Sequence, residues 1–109
     1  MQTQVHFHEN LEGTEWMVGF TTGRVNKLKR YLDASASAHI SVEELNHSYS
    51  CKLSIHNKGH DYSFKGEGEN YYEMVANTIE KARRKLSEVR RMQKDKISRH
   101  HIPLKQIAI

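Results

Sequence analysis

Between Lys81 and Arg99, nine Lys and Arg residues stand against two acidic ones, Glu88 and Asp95. On a helical projection Arg90, Arg83, Lys94, Arg91 and Arg84 fall within an arc of about 120° beside an apolar stripe, leaving the other flank less basic. Such a wall attracts polyanions. Arginine can hold phosphates bidentately and stack on bases, and a row of cations follows a nucleic-acid backbone without reading its sequence. Binding of this kind releases counterions and weakens as salt rises. RNA, DNA and an anionic membrane surface are the partner classes that fit. The basic character is local: residues 1–70 carry seven Lys/Arg against nine Asp/Glu, residues 71–109 carry ten against four, and the chain is net +4. Arg24 and Lys27, on a predicted first helix, extend the cationic surface if the two helices lie side by side.

Other residue types offer less. His6 and His8 share one strand face, and His39 and His56 can join them on the same sheet surface, an arrangement from which imidazoles bind zinc. No carboxylate stands among them at a ligand spacing, so solvated surface histidines are expected and no metal. Cys51 is the single cysteine, which excludes an internal disulfide and multi-cysteine zinc modules. It alternates in phase with Leu53 and Ile55 and reads as a small core residue. Gly66-Glu67-Gly68 lacks a P-loop lysine and is expected to be a turn. Of Tyr71 and Tyr72 one is expected in the core and the other free to stack on something exposed, while Trp16 is expected to pack. Neither a catalytic residue nor a cofactor is expected.

The elements that must position these groups follow from periodicity. A chain of 109 residues, 37% hydrophobic and 28% charged, suits one domain. No apolar run is long enough to span a bilayer and the first residues lack a secretion-signal layout, so a soluble cytoplasmic protein is expected. Alternation over Gln2 to His8 predicts a strand with Thr3, Val5 and Phe7 inward. Thr14 is a candidate N-cap for a helix to about Leu32 whose core sector holds Met17, Val18, Thr21, Val25, Leu28 and Leu32, with the stem of Arg24 along its apolar edge. Strands are predicted over Ala38–Val42, Tyr49–His56 and Tyr62–Lys65, with a looser connection from Glu43 to Ser48 and a tight hairpin at Asn57-Lys58-Gly59. Asn70 caps a last helix, with Glu73 in the capping-box position and Val75, Ile79, Ala82, Leu86 and Val89 as its apolar stripe, running to about Ile97. The expected fold is α+β: a β-α-β-β-β-α two-layer sandwich with a four-stranded mixed sheet and both helices on one face, similar in layout to a double-stranded-RNA-binding domain. Residues 1–97 form the domain. Residues 98–109, where Pro103 opposes helix continuation, are expected to be a flexible tail.

That element order, the run Arg24-Val25-Asn26-Lys27-Leu28-Lys29-Arg30-Tyr31, and Gly66-Glu67-Gly68-Glu69-Asn70-Tyr71-Tyr72-Glu73-Met74-Val75 leading to Ile79-Glu80-Lys81 and Arg84-Lys85-Leu86 resemble the ribosome hibernation promoting factor and ribosome-associated inhibitor A family. The resemblance covers about residues 1–96 and is to the short form. Where the family has an acidic residue followed by Met-Tyr, Asn70-Tyr71-Tyr72 stands here, and the cap survives because Asn and Asp cap comparably. The resemblance implies a non-enzymatic, monomeric protein that occupies the decoding channel of the small ribosomal subunit, where messenger and the A- and P-site transfer RNAs lie. It further implies contact with ribosomal RNA, inhibition of translation, and storage of idle ribosomes under stress or in stationary phase, in some cases beside a separate ribosome modulation factor. Arg24, Lys27, Lys81 and Arg84 match basic positions of the family. Arg83, Arg90, Arg91 and Lys94 join them from the helical projection alone. Two other readings compete: a general binder of double-stranded RNA, and a metalloenzyme built on the histidines.

Overall fold

Alternating apolar and polar residues build four strands with one dry and one wet face. The structure, a computed structural model, describes the backbone of residues 1–8 and 11–108 and the side chains of residues 1–8 and 11–92. Strand β1 (Gln2–Phe7) pairs parallel with β2 (Ser37–Leu45), which runs antiparallel to β3 (Ser48–Asn57), itself antiparallel to β4 (His60–Gly68). The spatial order is the chain order. The register lines up Val5, Ile40, Leu53 and Phe64 in one inward row and Phe7, Val42, Cys51 and Gly66 in another. His6, Ser41, Lys52 and Lys65 form one of the outward rows. Helices α1 (Glu15–Asn26) and α2 (Tyr71–Ala108) cover the inward face, where Ile40, Val42, Leu53, Val25, Met74 and Val75 are fully buried. This is the expected two-layer α+β sandwich.

The helix starts follow their caps. Thr14 Oγ1 accepts from Met17 N–H at 3.4 Å and Asn70 Oδ1 accepts from Tyr72 N–H at 2.9 Å, each satisfying a donor that has no partner within its helix. The first helix does not continue as an α-helix to Leu32. It tightens into a 3-10 turn over Lys27–Tyr31, which keeps Leu28 buried but swings Leu32 to a half-buried position. Val18 is exposed rather than core, because Met17, Thr21 and Val25 alone define the narrow buried stripe of this helix. At the other end of the chain, helical backbone runs to Ala108 instead of stopping near Ile97. Loss of apolar period does not by itself end a helix where Lys and Gln, good helix formers, recur, although Pro103 both removes a backbone donor and crowds the preceding turn.

Two connections differ from expectation. The residues from Glu43 to Ser48 are not a loose link: β2 continues to Leu45, and a two-residue turn at Asn46 and His47, with φ of 48° and 67°, leads into β3. Two successive glutamates obscure the alternation there, but Glu43 points outward and accepts from Ser50 Oγ across the hairpin at 3.2 Å. The predicted hairpin at Lys58 and Gly59 is present, with φ of 52° and 78°. Gly66 lies within β4, not in a turn, directly beneath α2. A Cβ at Gly66 would sit 1.8 Å from Thr78 Oγ1. Thr78 has no room to retreat, being fully buried with its hydroxyl bonded to Met74 O at 2.8 Å and next to Cys51 Sγ at 3.1 Å. Gly66→Ala is therefore expected to lower unfolding stability by about 1–3 kcal/mol in urea titrations, and Gly66→Ala combined with Thr78→Ala to recover part of the loss.

Candidate nucleic-acid interface

Side-by-side packing of the helices decides whether the cations act together. Tyr71, the first residue of α2, is buried and its hydroxyl hydrogen-bonds the hydroxyl of the fully buried Thr21 on α1 at 2.6 Å. That bond joins residues 50 positions apart. Between α1 with its 3-10 extension and α2 lies an open groove of about 490 Å³, lined among others by Arg24, Lys27, Arg30, Tyr31, Glu80 and Arg83. Four cations and one carboxylate thus share one concavity. Field lines focus in such a groove, and a polyanion is its natural occupant.

The side chains are held rather than free. The Arg24 guanidinium lies over the Phe20 ring, 5.2 Å from its centroid, with its stem along the apolar edge as its place on the helix predicts. Arg30 is placed likewise over Tyr31 at 5.3 Å. Arg90 donates to the backbone oxygen of Arg30, tying α2 to the 3-10 turn. Glu80 accepts a forked pair of bonds from Arg83, at 2.9 and 2.6 Å, and a third from Arg84 at 3.2 Å. The hydrogen bonds from Arg83 lower the Glu80 carboxyl to about 2, and the same bonds, with a contribution from Tyr31, push the Arg83 guanidinium upward. Glu80 therefore stays charged at any physiological pH and fixes two guanidinium planes.

Of the predicted residues, the structure brings Arg24, Lys27, Arg83 and Arg90 around the groove, with Arg84 and Arg91 exposed on the same helix beyond it. Lys81 is not among them. It points to the opposite flank of α2, where its ammonium donates to Lys65 O of β4 at 2.9 Å. The side chain of Lys94 lies outside the described residues. Sequence reading missed Arg30, Tyr31 and Glu80. The spacing of Glu80 to Arg83 and Arg84, three and four residues, carried the last signal, whereas Arg30 and Tyr31 line the groove from the 3-10 turn, which the α-helical projection does not describe.

On the far side of the sheet, His6 lies 5.5 Å from His8 and 6.4 Å from His39 between ring centroids, and His56 Nδ1 is 2.7 Å from Asp61 Oδ1. Among the described residues no group of three or more His, Cys, Asp or Glu side chains is arranged to hold a metal ion. Cys51 is buried, and that burial pushes its thiol pKa up, away from the reactive thiolate. No helix among the described residues is long and apolar enough to cross a membrane.

Residues 3–94 match the family described as sigma 54 modulation protein / S30EA ribosomal protein. The chain belongs to this family. The match spans both helices as far as Lys94 and so includes the whole groove. No curated protein matches the chain. Among solved structures the fold is similar to the N-terminal domain of Protein Y from Thermus thermophilus, at 14% identity and a TM-score of 0.75, covering 82% of this chain and 99% of that one. It is also similar to a ribosomal subunit interface protein from Coxiella burnetii, at 13% identity and a TM-score of 0.70, covering 82% and 97%. At those identities the likeness establishes the fold alone: the two-layer sandwich is shared while most side chains differ.

The Glu80 network carries a pH signature. A carboxyl lowered to about 2 in the folded chain and ordinary when unfolded contributes stability that is present in full above about pH 5 and lost as pH falls toward 2. The stability difference between the native chain and Glu80→Gln is expected to be constant from pH 5 to 8, to shrink below pH 5, and to diminish with salt at every pH because the pair is exposed. Thermal unfolding across that pH range checks it.

Proposed function

We propose that this protein binds the small ribosomal subunit and inhibits translation by occupying the decoding channel between head and body, in place of messenger and the A- and P-site transfer RNAs. Family membership over residues 3–94, with a cationic groove built by two neighbouring helices inside that span, is the observation that supports it. The physics is consistent. A rigid wedge fills a cleft, and Arg24, Lys27, Arg83, Arg84, Arg90 and Arg91 neutralise ribosomal RNA phosphates without reading bases. On this reading the protein acts as a monomer in the cytoplasm, stores idle ribosomes under stress or in stationary phase, and works alone or beside a ribosome modulation factor. Residues 1–97, Lys94 among them, are the ribosome-facing part.

Neutralising Arg83, Arg84 and Arg91 together to Gln is expected to release the protein from purified small subunits at physiological salt, while its melting temperature changes by only a few degrees. The slope of log K against log salt should become shallower by about 2 to 3. Co-sedimentation at several salt concentrations measures both. Binding that is unchanged by the triple substitution overturns the proposal. Equal affinity for a plain RNA duplex and for subunits replaces it with a general double-stranded-RNA binder.

A further inference from the structure

At the end of the groove nearest the helix starts, the cations give way to aromatic rings. Trp16 on α1 and Tyr72 on α2 are stacked, 5.3 Å apart and 25° from parallel, yet remain 49% and 51% exposed. Phe20 stands edge-on to Tyr72 at 4.8 Å, and Trp16 edge-on to the buried Tyr71 at 5.9 Å. Phe20 is also the ring beneath the Arg24 guanidinium, which lines the groove. The aromatic cluster is therefore continuous with the cationic surface through a single residue. Two large rings kept half in water, on separate helices and braced by their neighbours, form an exposed aromatic surface. Glu15 and Glu73, in the first turns of the two helices, flank this end and repel phosphate.

We propose that Trp16 and Tyr72 form a stacking platform for an unpaired nucleobase of RNA whose phosphates lie on the cations of the groove. The inference rests on the RNA-binding reading above and adds a base-contacting subsite to it. An aromatic face takes any base, and the Arg24 guanidinium on its groove side holds the adjoining phosphate. The acidic flanks exclude the backbone from this end and leave the flat, uncharged base as the part of the ligand that fits. A helical duplex keeps its bases stacked inside and offers nothing to the platform, so the site selects a bulged, looped or single-stranded residue.

Trp16 is the single tryptophan, so its emission reports on the site directly. Titration of the full chain with a short single-stranded oligouridylate is expected to quench it, whereas inorganic polyphosphate, which supplies phosphates but no bases, leaves it unchanged. In co-sedimentation with small subunits, Trp16→Leu and Tyr72→Leu should each weaken binding by about tenfold. Trp16→Phe and Tyr72→Phe, which keep a ring, should restore most of it, a rescue that simple loss of packing would not show. If the native chain sediments with subunits and the leucine variants bind equally well, the platform is overturned and the ribosome reading stands. If the native chain fails to sediment with subunits, that reading falls, and quenching by oligouridylate alone still decides the platform. Weakened subunit binding without quenching by RNA assigns the patch to a protein partner and overturns the proposal.

Discussion

How closely α2 can approach the sheet governs the geometry of everything else. Gly66 presents no side chain beneath the helix, and Thr78 fills the space with a hydroxyl that bonds back to the helix carbonyl of Met74. A bulkier residue in β4 would lift α2, and with it Tyr71, whose hydroxyl is the hydrogen-bonded link to Thr21 on α1. Both threonines are fully buried, and each finds a partner for its hydroxyl, so neither leaves a polar atom unsatisfied. Close approach and satisfied polar contacts together hold the two helices side by side. The groove between them is a consequence of that spacing.

Electrostatics then acts on a frame already built. Several guanidinium groups crowded along two rods repel one another, and the fold answers with one carboxylate and two rings. Glu80 gathers Arg83 and Arg84, while Phe20 and Tyr31 each support an arginine from below. None of these contacts is strong at an exposed site, where ion pairs contribute little. Their effect is on order. Arginines restrained before a ligand arrives lose less side-chain freedom on binding, which favours affinity without any added contact. The outer sheet face has a different character: its rows of Gln, Ser and His with Lys52 and Lys65 are polar and mixed, suited to water.

The fold was legible in the sequence wherever one physical rule dominated. Alternation located the strands, Thr14 and Asn70 marked the helix starts, and Lys58-Gly59 marked a hairpin, because each depends on residues within one turn of itself. Errors arose where tertiary contact overrides local pattern. Gly66 has the composition of a turn, yet is in a strand because a helix lies against it. Asn46 and His47 make a tight hairpin turn that the neighbouring glutamates disguise. The candidate site was partly legible for the same reason. Charge on one face of a helix is visible in projection, so Arg83, Arg84, Arg90 and Arg91 could be grouped, and the clue that Tyr71 and Tyr72 divide between core and surface held. Lys81 came from family likeness, which does not report that its side chain reaches β4 rather than the groove.

The division of labour within the groove follows from what each contact can distinguish. Cations respond to phosphate density, which paired and unpaired RNA share, so they supply attraction with little discrimination. Rings respond to an accessible base face, which a duplex withholds, so they supply discrimination with modest attraction. Arg24, seated on Phe20 between the two, belongs to both: it answers to a phosphate through its charge and to the aromatic cluster through the ring beneath it. A surface arranged this way finds its target from a distance by charge and keeps only those poses in which a base stands free at the helix starts. On the proposed reading, phosphates are everywhere on a ribosomal subunit, and the second requirement adds a preference for unpaired residues that charge alone cannot supply.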